Sequence, residues 1–390
     1  MPWPEQSLMD MRKEFVELAK QEDGTVAELC RRYGISRKTG YKWLGRARTE
    51  GTESLVDRSR RPRRSPAQTP PGIEAEVVGV RVAHPCWGAR KIRRRLKMRG
   101  VDGVPAVSTV NEILRRHSLL DPAEADRHTA FKRFEHAQAN DLWQMDFKGH
   151  FPLSATGRCH PLTVLDDHSR FALCLAACAD EQSQTVRQRL TAIFERYGLP
   201  ERMTMDNGMP WGEGPSSRYT ALTVWLMRLG IRVSHSRPYH PQTQGKDERF
   251  HRTLKAEVLQ GRSFADLPTC QSAFDRWRSV YNLERPHQAL DLDVPASRYR
   301  SSRRAYPGLA PEPVYAPDDH LRRVQQGGWV HFKGHTWKLS KAFIGQRIAL
   351  RPTTTDGLWD VVFVAQRVAQ VDLRSSSGTS QHVTHVPEHL

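Results

Sequence analysis

The chain has 390 residues, enough for about two to four domains of ordinary size. Its 60 Lys and Arg outnumber 43 Asp and Glu, and the resulting net charge of +17 points to a polyanionic partner, nucleic acid above all. A membrane is not expected, since the longest strongly apolar run, 171–179, is too short to span one. Six scattered Cys without a Cys-x-x-Cys pair, and no visible signal peptide, favour a cytoplasmic protein with free thiols.

Residues 1–50 are predicted to form a helix-turn-helix domain. Apolar spacing indicates three short helices between residues 8 and 48, and Ser36 is a suitable N-cap for the third. A plain three-helix domain is the alternative, but basic side chains cluster where a recognition helix would meet base edges in the major groove. The candidate DNA contacts there are Arg37, Lys38, Thr39, Tyr41 and Lys42.

Two further basic segments follow. Residues 51–71 form a linker rich in Pro and Arg, whose Arg61, Arg63 and Arg64 suit the minor groove, although a solvated linker fits equally well. Residues 72–120 are predicted to be a second helical DNA-binding domain. Its middle helix, 89–98, begins with the candidate DNA contacts Arg90 and Lys91.

After a polar connector, 121–140, the hydrophobic pattern changes from helical spacing to strand alternation. Three successive strands and then alternating helices and strands predict an α/β domain with a mixed sheet over residues 141–290. The third strand, 171–177, is apolar on both faces and is therefore expected to be central.

The stretch 237–255 is predicted to be a loop that becomes a helix, because Pro238 and Pro241 prevent an earlier start. The helix would bury one apolar stripe and expose one polar stripe of mixed charge. The apolar stripe is Phe250, Leu254 and Val258, and the polar stripe is Gln244, Glu248, Arg252 and Lys255. Taken alone, the polar stripe is also compatible with an ordinary solvated helix face.

Three carboxylates stand at strand or helix positions where open α/β sheets bind ligands: Asp146, Asp206 and Glu248. Carboxylate oxygens suit Mg²⁺ or Mn²⁺, and two ions roughly 3.5 to 4 Å apart can activate an attacking oxygen and stabilise a leaving one. The chemistry so indicated is cleavage or transfer of a phosphodiester. Asp166 and Asp167, which follow the second strand, are interpreted as structural turn residues.

Several sequence blocks follow one another in the order Trp143-Gln-Met-Asp-Phe147, Asp206-Asn-Gly208, His240-Pro-Gln-Thr-Gln-Gly-Lys-Asp-Glu-Arg249, Tyr281-Asn282 and Arg285-Pro-His-Gln-Ala-Leu290. In this order they resemble the motifs of the retroviral-integrase-like DDE transposases of bacterial insertion sequences. The resemblance covers residues 70–295 well. It implies an RNase H-like core in which Asp146, Asp206 and Glu248 hold two Mg²⁺, with Mn²⁺ as an alternative ion.

The resemblance also implies a reaction and its partners. Water would cut the element end, and the freed 3′-OH would attack target DNA without a covalent protein intermediate. Asn207 would support Asp206, and the DNA contacts near the site would be Lys246, Arg249, Arg252 and Lys255. The partners would be the element's terminal inverted repeats, target DNA and at least one more copy of the chain, since two ends must be joined. An accessory ATPase is left open.

Two departures from the family pattern matter. Asp206 and Glu248 lie 42 positions apart, longer than the common spacing, and Asp247 competes with Glu248 as the third ligand. The zinc-binding N-terminal module of retroviral integrases is missing and helix-turn-helix units replace it.

Two other functions compete with transposition. One is a non-catalytic DNA-binding regulator derived from a transposase, and the intact carboxylate triad argues against it. The other is an RNase H-type nuclease, which would need no tandem DNA-reading domains.

The remaining residues are predicted to form a linker, 291–317, a small β-barrel of the Src-homology-3 (SH3) type, 318–373, and a disordered tail, 374–390. A hairpin signal at Lys333-Gly334 and later strand alternation support the barrel. Such a basic barrel would grip the DNA backbone or a partner subunit.

Overall fold

A computed structural model of the protein describes residues 7–21, 25–59, 68–120, 135–212, 219–235, 245–374 and 381–383. The chain divides into two compact units, Met1–Gln68 and Thr69–Leu390. The basic arm with Arg61, Arg63 and Arg64 lies outside the described residues, as does most of the predicted tail. None of the described helices combines the length and the apolar character that crossing a bilayer requires.

The first unit is a helical bundle, which confirms the predicted helical character of this region. Its helices are α1 (Leu8–Leu18), α2 (Val26–Arg32) and α3 (Arg37–Glu50). The Ser36 side chain accepts a hydrogen bond from the Thr39 N–H and so caps α3 as predicted. Gly40 is required for packing, because a Cβ there would lie 2.5 Å from the Cys30 Sγ.

Three more helices open the second unit: α4 (Pro71–Ala83), α5 (Ala89–Met98) and α6 (Val107–Arg116). Their shared core is buried and apolar, and its central members are Val77, Ile92, Leu96, Val110, Ile113 and Leu114. On the other side of α5, Arg94 and Arg95 form ion pairs with Asp293 and Glu284. Part of the basic face of α5 therefore holds the helices to later parts of the same unit.

The centre of the second unit is a mixed sheet, as predicted. Its strands are β1 (Trp143–Phe147), β2 (Phe151–Pro152), β3 (Arg158–Asp166), β4 (Ala172–Cys178), β5 (Arg202–Met205) and β6 (Arg232–His235). The order is β2-β3-β1-β5-β6, with β4 also paired to β3. Pairing among β1 to β4 is antiparallel, whereas β1 with β5 and β5 with β6 are parallel.

Helices cover both faces of this sheet. They are α7 (Ser183–Tyr197), α8 (Ala221–Arg228), α9 (Gly245–Leu254), α10 (Leu267–Leu283) and α11 (Pro295–Arg298), and α9 continues into a π-helical turn, Lys255–Leu259. On one face α7 and α8 pack on Trp143, Met145 and Val164. On the other, α9 and α10 pack on Leu165 and Leu175. The predicted stripe Phe250, Leu254 and Val258 is buried there, which confirms it.

The prediction that the third strand is central was wrong. Every residue of β4 is buried, but among the described strands β4 pairs only with β3. Helix α10 covers the edge of β4 that has no neighbouring strand among the described residues. Asn282 accepts from the Ala172 N–H at 2.8 Å and donates to the Ala172 carbonyl at 3.0 Å, and Gln271 accepts from the Ala177 N–H. Side-chain amides thus replace a neighbouring strand at this edge.

The C-terminal strands form two sheets, and the predicted closed barrel is not found among the described residues. One sheet contains β7 (His320–Arg323), β10 (Arg347–Pro352), β11 (Leu358–Phe363) and β12 (Gln366–Asp372), and the other contains β8 (Trp329–Phe332), β9 (His335–Lys338) and β13 (Gln381–His382). The hairpin at Lys333-Gly334 is confirmed. Phe332 and Trp359, in edge-to-face contact, join the two sheets without strand pairing.

An amide side chain of the C-terminal sheets hydrogen-bonds the central sheet. The Gln366 side chain accepts from the Val233 N–H at 3.0 Å and donates to the Val233 carbonyl at 2.7 Å. Val233 lies on β6, the outermost strand on that side. Gln366 therefore covers this sheet edge much as Asn282 covers the opposite one.

We expect Asn282→Ala to lower the free energy of unfolding by about 1 to 3 kcal/mol, because it leaves buried backbone groups of Ala172 without partners. Chemical denaturation of the full chain measures the loss, with Gln260→Ala, at an exposed position, as the control. Equal stability of the two variants would contradict the role assigned to Asn282.

Candidate active site

Two of the predicted metal ligands are brought together by parallel strand pairing. Gln144 of β1 is in register with Thr204 of β5, and Asp146 and Asp206 each lie two residues further along. Both carboxylates therefore stand at the same end of neighbouring strands, the place where open α/β sheets bind ligands. The Gly208 N–H donates to the Asp206 carboxylate at 3.1 Å and fixes its position. The half-buried Asn207, between these two residues, is the predicted support of Asp206.

The electrostatics of this pair are unfavourable without a counter-charge. Burial first, and then the neighbouring charge of Asp206, raise the pKa of Asp146 to about 7. Burial also raises the pKa of Asp206. Two adjacent carboxylates that resist ionisation are what a divalent cation would stabilise.

A further carboxylate near the pair, Glu181, is not among the predicted site residues. Its charge helps to raise the pKa values of both Asp146 and Asp206, and its side chain bonds the His160 Nδ1 at 2.8 Å. The signal in the sequence is weak but real: Glu181 comes shortly after β4, which runs in the same direction as β1 and so ends at the same edge of the sheet.

The third predicted ligand lies on the first turn of α9, next to residues 236–244, which are not described. Glu248 is exposed there, and Asp247 is fully buried. Both oxygens of Asp247 are buried without a hydrogen-bond partner among the described residues. Burial, followed by the charges of Asp146 and Asp167, raises the pKa of Asp247 well above its ordinary value. Asp247 is thus the α9 carboxylate whose pKa responds to the charge of Asp146.

The start of α9 is held to the sheet by a buried ion pair between Lys246 and Asp167. Asp167 also accepts hydrogen bonds from the His136 N–H at 2.9 Å and the Gln144 side chain at 2.8 Å. Its neighbour Asp166 accepts from the Asn140 and Ser169 N–H groups. Both acids therefore act as the structural residues that we predicted.

The other predicted DNA contacts fall into two groups. On α9 and its π-helical turn, three exposed side chains share a surface with Glu248: Arg249, Arg252 and Lys255. On α3 the exposed side chains are Arg37, Lys38, Tyr41 and Lys42. Thr39 takes part in the cap of α3 instead. By contrast Lys246 pairs with Asp167. Arg90 is exposed, but Lys91 is half-buried, and burial followed by the charge of Arg285 lowers its pKa to about 7.

Three comparisons place these domains among known proteins. Helix-turn-helix and homeodomain-like models match residues 11–63 and 39–114, two integrase core models match 136–241 and 229–295, and a model of the IS481 family transposase C-terminal domain matches 319–379. The IS407 uncharacterized 31.7 kDa protein of Burkholderia multivorans is 26% identical over 166 residues, which is 43% of this chain and 57% of that protein.

A second relative is the IS476 uncharacterized 39.2 kDa protein of Xanthomonas euvesicatoria, 25% identical over 60% of this chain and 67% of its own. A transposase candidate of insertion sequence element IS5376 from Geobacillus stearothermophilus is 20% identical over 89% of this chain and 84% of its own. Among solved structures, the simian T-cell lymphotropic virus intasome with PP2A regulatory subunit B56 gamma covers 75% of this chain and 99% of the matched one, at 15% identity and a TM-score of 0.34.

The chain therefore matches models of an integrase core, with helix-turn-helix models before it and a transposase C-terminal domain model after it. More narrowly, its C-terminal match is to a model of the IS481 family transposases, and the relatives named above come from insertion elements. The chain spans only 57% of the first of these relatives and 67% of the second.

Asp146→Asn tests the electrostatic cost of the carboxylate pair. Without metal, the folded chain holds a proton on Asp146 up to about pH 7, whereas an unfolded Asp releases it near about pH 4. Stability should therefore fall as pH rises through this window. In chelator, we expect the wild-type Tm to drop by about 2 to 5 °C between about pH 5 and about pH 7.5, and the variant Tm to drop less.

The control for this experiment is Asp102→Asn, at an exposed position. It should keep the wild-type dependence on pH. Parallel curves for wild type and Asp146→Asn would show that Asp146 carries no such cost.

Proposed function

We propose that the chain is a DDE transposase that binds the ends of a mobile element, cleaves them by metal-dependent hydrolysis and joins the resulting 3′-OH to target DNA. The observation that carries the proposal is the juxtaposition of Asp146 and Asp206 at the ends of β1 and β5, inside a domain that matches the integrase core. The protein would act in the cytoplasm on the bacterial nucleoid.

The donor set fits divalent ions. Burial raises the pKa of Asp146 and of Asp206, so both carboxylates would gain from a nearby cation. The oxygens of Asp247, buried without a hydrogen-bond partner among the described residues, point to the same need. Two Mg²⁺, or Mn²⁺ in their place, would supply activation of the attacking oxygen and stabilisation of the leaving oxygen. The chain itself would orient the donors through β1, β5 and the Gly208 N–H.

For the third ligand we propose Glu248. It matches the motif and shares the exposed surface of α9 with Arg252 and Lys255, which would contact phosphates next to the reacting bond. The buried ion pair of Lys246 with Asp167 would keep this turn of α9 at the sheet edge. Asp247 is the competing ligand, because the charge of Asp146 helps to raise its pKa.

DNA binding would be divided among the domains. Exposed α3 side chains would read the element end, and the tandem helices and the C-terminal sheets would add contacts to its backbone. We also propose that the C-terminal strands form a compact SH3-like domain. At least a dimer is required to join two ends at one target, and an accessory ATPase stays open.

Strand transfer with a labelled duplex of the element's own end tests the function. Wild type should join this end to target DNA with Mg²⁺, and Glu248→Gln should reduce joining by at least about 100-fold while keeping DNA affinity, because a ligand is lost. Asp247→Asn and the exposed control Glu195→Gln should retain joining.

Other outcomes of this experiment would change either the third metal ligand or the function. Loss of joining in Asp247→Asn, but not in Glu248→Gln, would make Asp247 the ligand. A wild-type protein that binds the end tightly but never cuts or joins it with Mg²⁺ or Mn²⁺ would favour the non-catalytic regulator.

Recognition by α3 has its own test in the salt dependence of binding. We expect Arg37→Ala and Lys42→Ala each to weaken binding of the element end and to reduce the slope of log affinity against log salt by about 1, if each contacts a phosphate. Fluorescence anisotropy at several salt concentrations measures both. The matched control is Lys20→Ala, an exposed lysine of the same unit, and an equal effect there would contradict a specific role for α3.

A further inference from the structure

Helix α5 has six basic side chains and no acidic one, and five of the six form two groups. Arg94 and Arg95 make ion pairs with Asp293 and Glu284, which lie outside helices α4 to α6. Among the described residues the other group has no ion pair, although its middle member donates one N–H to a backbone carbonyl at 3.0 Å. This second group, called the α5 stripe, is Arg90, Arg93 and Lys97.

The two groups occupy different sides of the helix. Successive residues of an α-helix are rotated by about 100°, so the three positions of the α5 stripe fall within about 60° of the helix circumference. They are roughly a third of a turn away from Arg94 and Arg95, and about as far from the buried Ile92 and Leu96. One side of α5 therefore faces the core of α4 to α6, a second faces later parts of the unit, and the α5 stripe lies on a third.

The α5 stripe keeps its positive charge because the acidic side chains of the neighbouring helices are already paired. Glu74 and Glu76 of α4 and Glu112 of α6 each make an ion pair with an arginine outside the stripe. Cations that lie side by side on a helix repel one another, and an anion relieves this repulsion. The stripe extends about 10 Å along the helix axis, a length over which one strand of duplex DNA has about three phosphates.

The α5 stripe lies in the same unit as the candidate active site, and the start of α5 contacts the end of α9. The Cys86 thiol, in the turn before α5, donates to the Ala256 carbonyl of the π-helical turn at 3.7 Å. Val280 of α10 packs against the core of α4 to α6. Ala256 follows Lys255 directly, so α5 begins beside the exposed basic surface that α9 and its π-helical turn share with Glu248.

We propose that the α5 stripe binds the phosphate backbone of the element end, so that the second helical domain holds the same DNA whose reacting bond lies at Asp146 and Asp206. Arg94 and Arg95 do not take part in this contact, because their ion pairs hold α5 in place. The inference rests on the proposed function, since it takes the partner to be the element end. Contacts to phosphate carry no sequence information, so the stripe positions the DNA and other residues read its bases.

Binding of the full chain to a labelled duplex of the element's own end tests the α5 stripe. We expect Arg90→Ala and Lys97→Ala each to reduce the slope of log affinity against log salt by about 1, and the double variant by about 2. An unrelated duplex should show the same reductions, because its phosphates are the same. Lys97→Arg should keep the wild-type slope, since it keeps the charge.

Two arginine variants serve as controls. Arg196→Ala removes an exposed arginine of α7, on the opposite face of the central sheet from α9, and should keep the slope. Arg95→Ala should also keep the slope but lower the Tm, because it breaks the ion pair with Glu284. Arg90→Ala and Lys97→Ala should keep the wild-type Tm, since both side chains are exposed.

Methylphosphonate linkages, which replace single phosphates of the end duplex by neutral groups, locate the contact. Neutralising the phosphate that meets Arg90 should weaken wild-type binding by about 3-fold or more and leave binding by Arg90→Ala unchanged. The same coupling should appear for Lys97→Ala at a nearby phosphate.

Three results would overturn the inference. The first is an unchanged slope in both Arg90→Ala and Lys97→Ala, and the second is an equal reduction in Arg95→Ala or Arg196→Ala. The third is a duplex without any phosphate at which the protein and DNA changes are coupled. A wild-type chain that shows the coupling but never cuts or joins DNA with Mg²⁺ or Mn²⁺ would exclude the proposed function and support the α5 contact.

Discussion

The parallel pairing of β1 with β5 is the constraint on which the candidate site depends. It places Asp146 beside Asp206 at one edge of the sheet, and like charges in a partly buried position repel each other strongly. A fold that only had to be stable would gain from separating them. The surrounding structure instead holds them in place, through the Gly208 N–H, the Thr163 hydroxyl and the α9 helix.

Much of the polar chemistry around the site serves to keep the covering helices on the sheet. Asn282 completes the β4 edge, and Arg285 pairs with Glu257, which also accepts a hydrogen bond from Trp277. Tyr281, Asn282, Arg285, His287 and Leu290 of the last two motif blocks are buried, so these residues serve packing. These residues help to set where α10 and, beside it, the π-helical turn after α9 can lie.

Some of the positively charged side chains form ion pairs within the chain, and others are exposed to solvent. The net charge of +17 makes a polyanionic partner physically reasonable, but charge alone does not reveal which cations reach solvent. Arg94 and Arg95 are paired with carboxylates of the same unit, and Lys246 is paired with Asp167. Arg37, Lys42 and their neighbours on α3 remain exposed, so the expectation of DNA binding is best supported there.

The sequence by itself determined the class of each region, because apolar spacing and capping residues are local signals. Helix α5, the buried stripe of α9, the hairpin at Lys333-Gly334 and the mixed sheet were all predictable in this way. The motif also identified Asp146 and Asp206 before their strands were known to be neighbours.

Only the tertiary structure decided which groups meet. Burial of β4 comes from helix α10 and not from strands on both sides, a distinction that an apolar run cannot encode. The interactions of Asp247 and His251 with Asp146 depend on how α9 is rotated against β1. The ion pair between Lys246 and Asp167, which lie 79 positions apart in the chain, helps to fix this rotation. Contacts between residues so far apart in the chain result from packing, and local sequence patterns do not specify how elements pack.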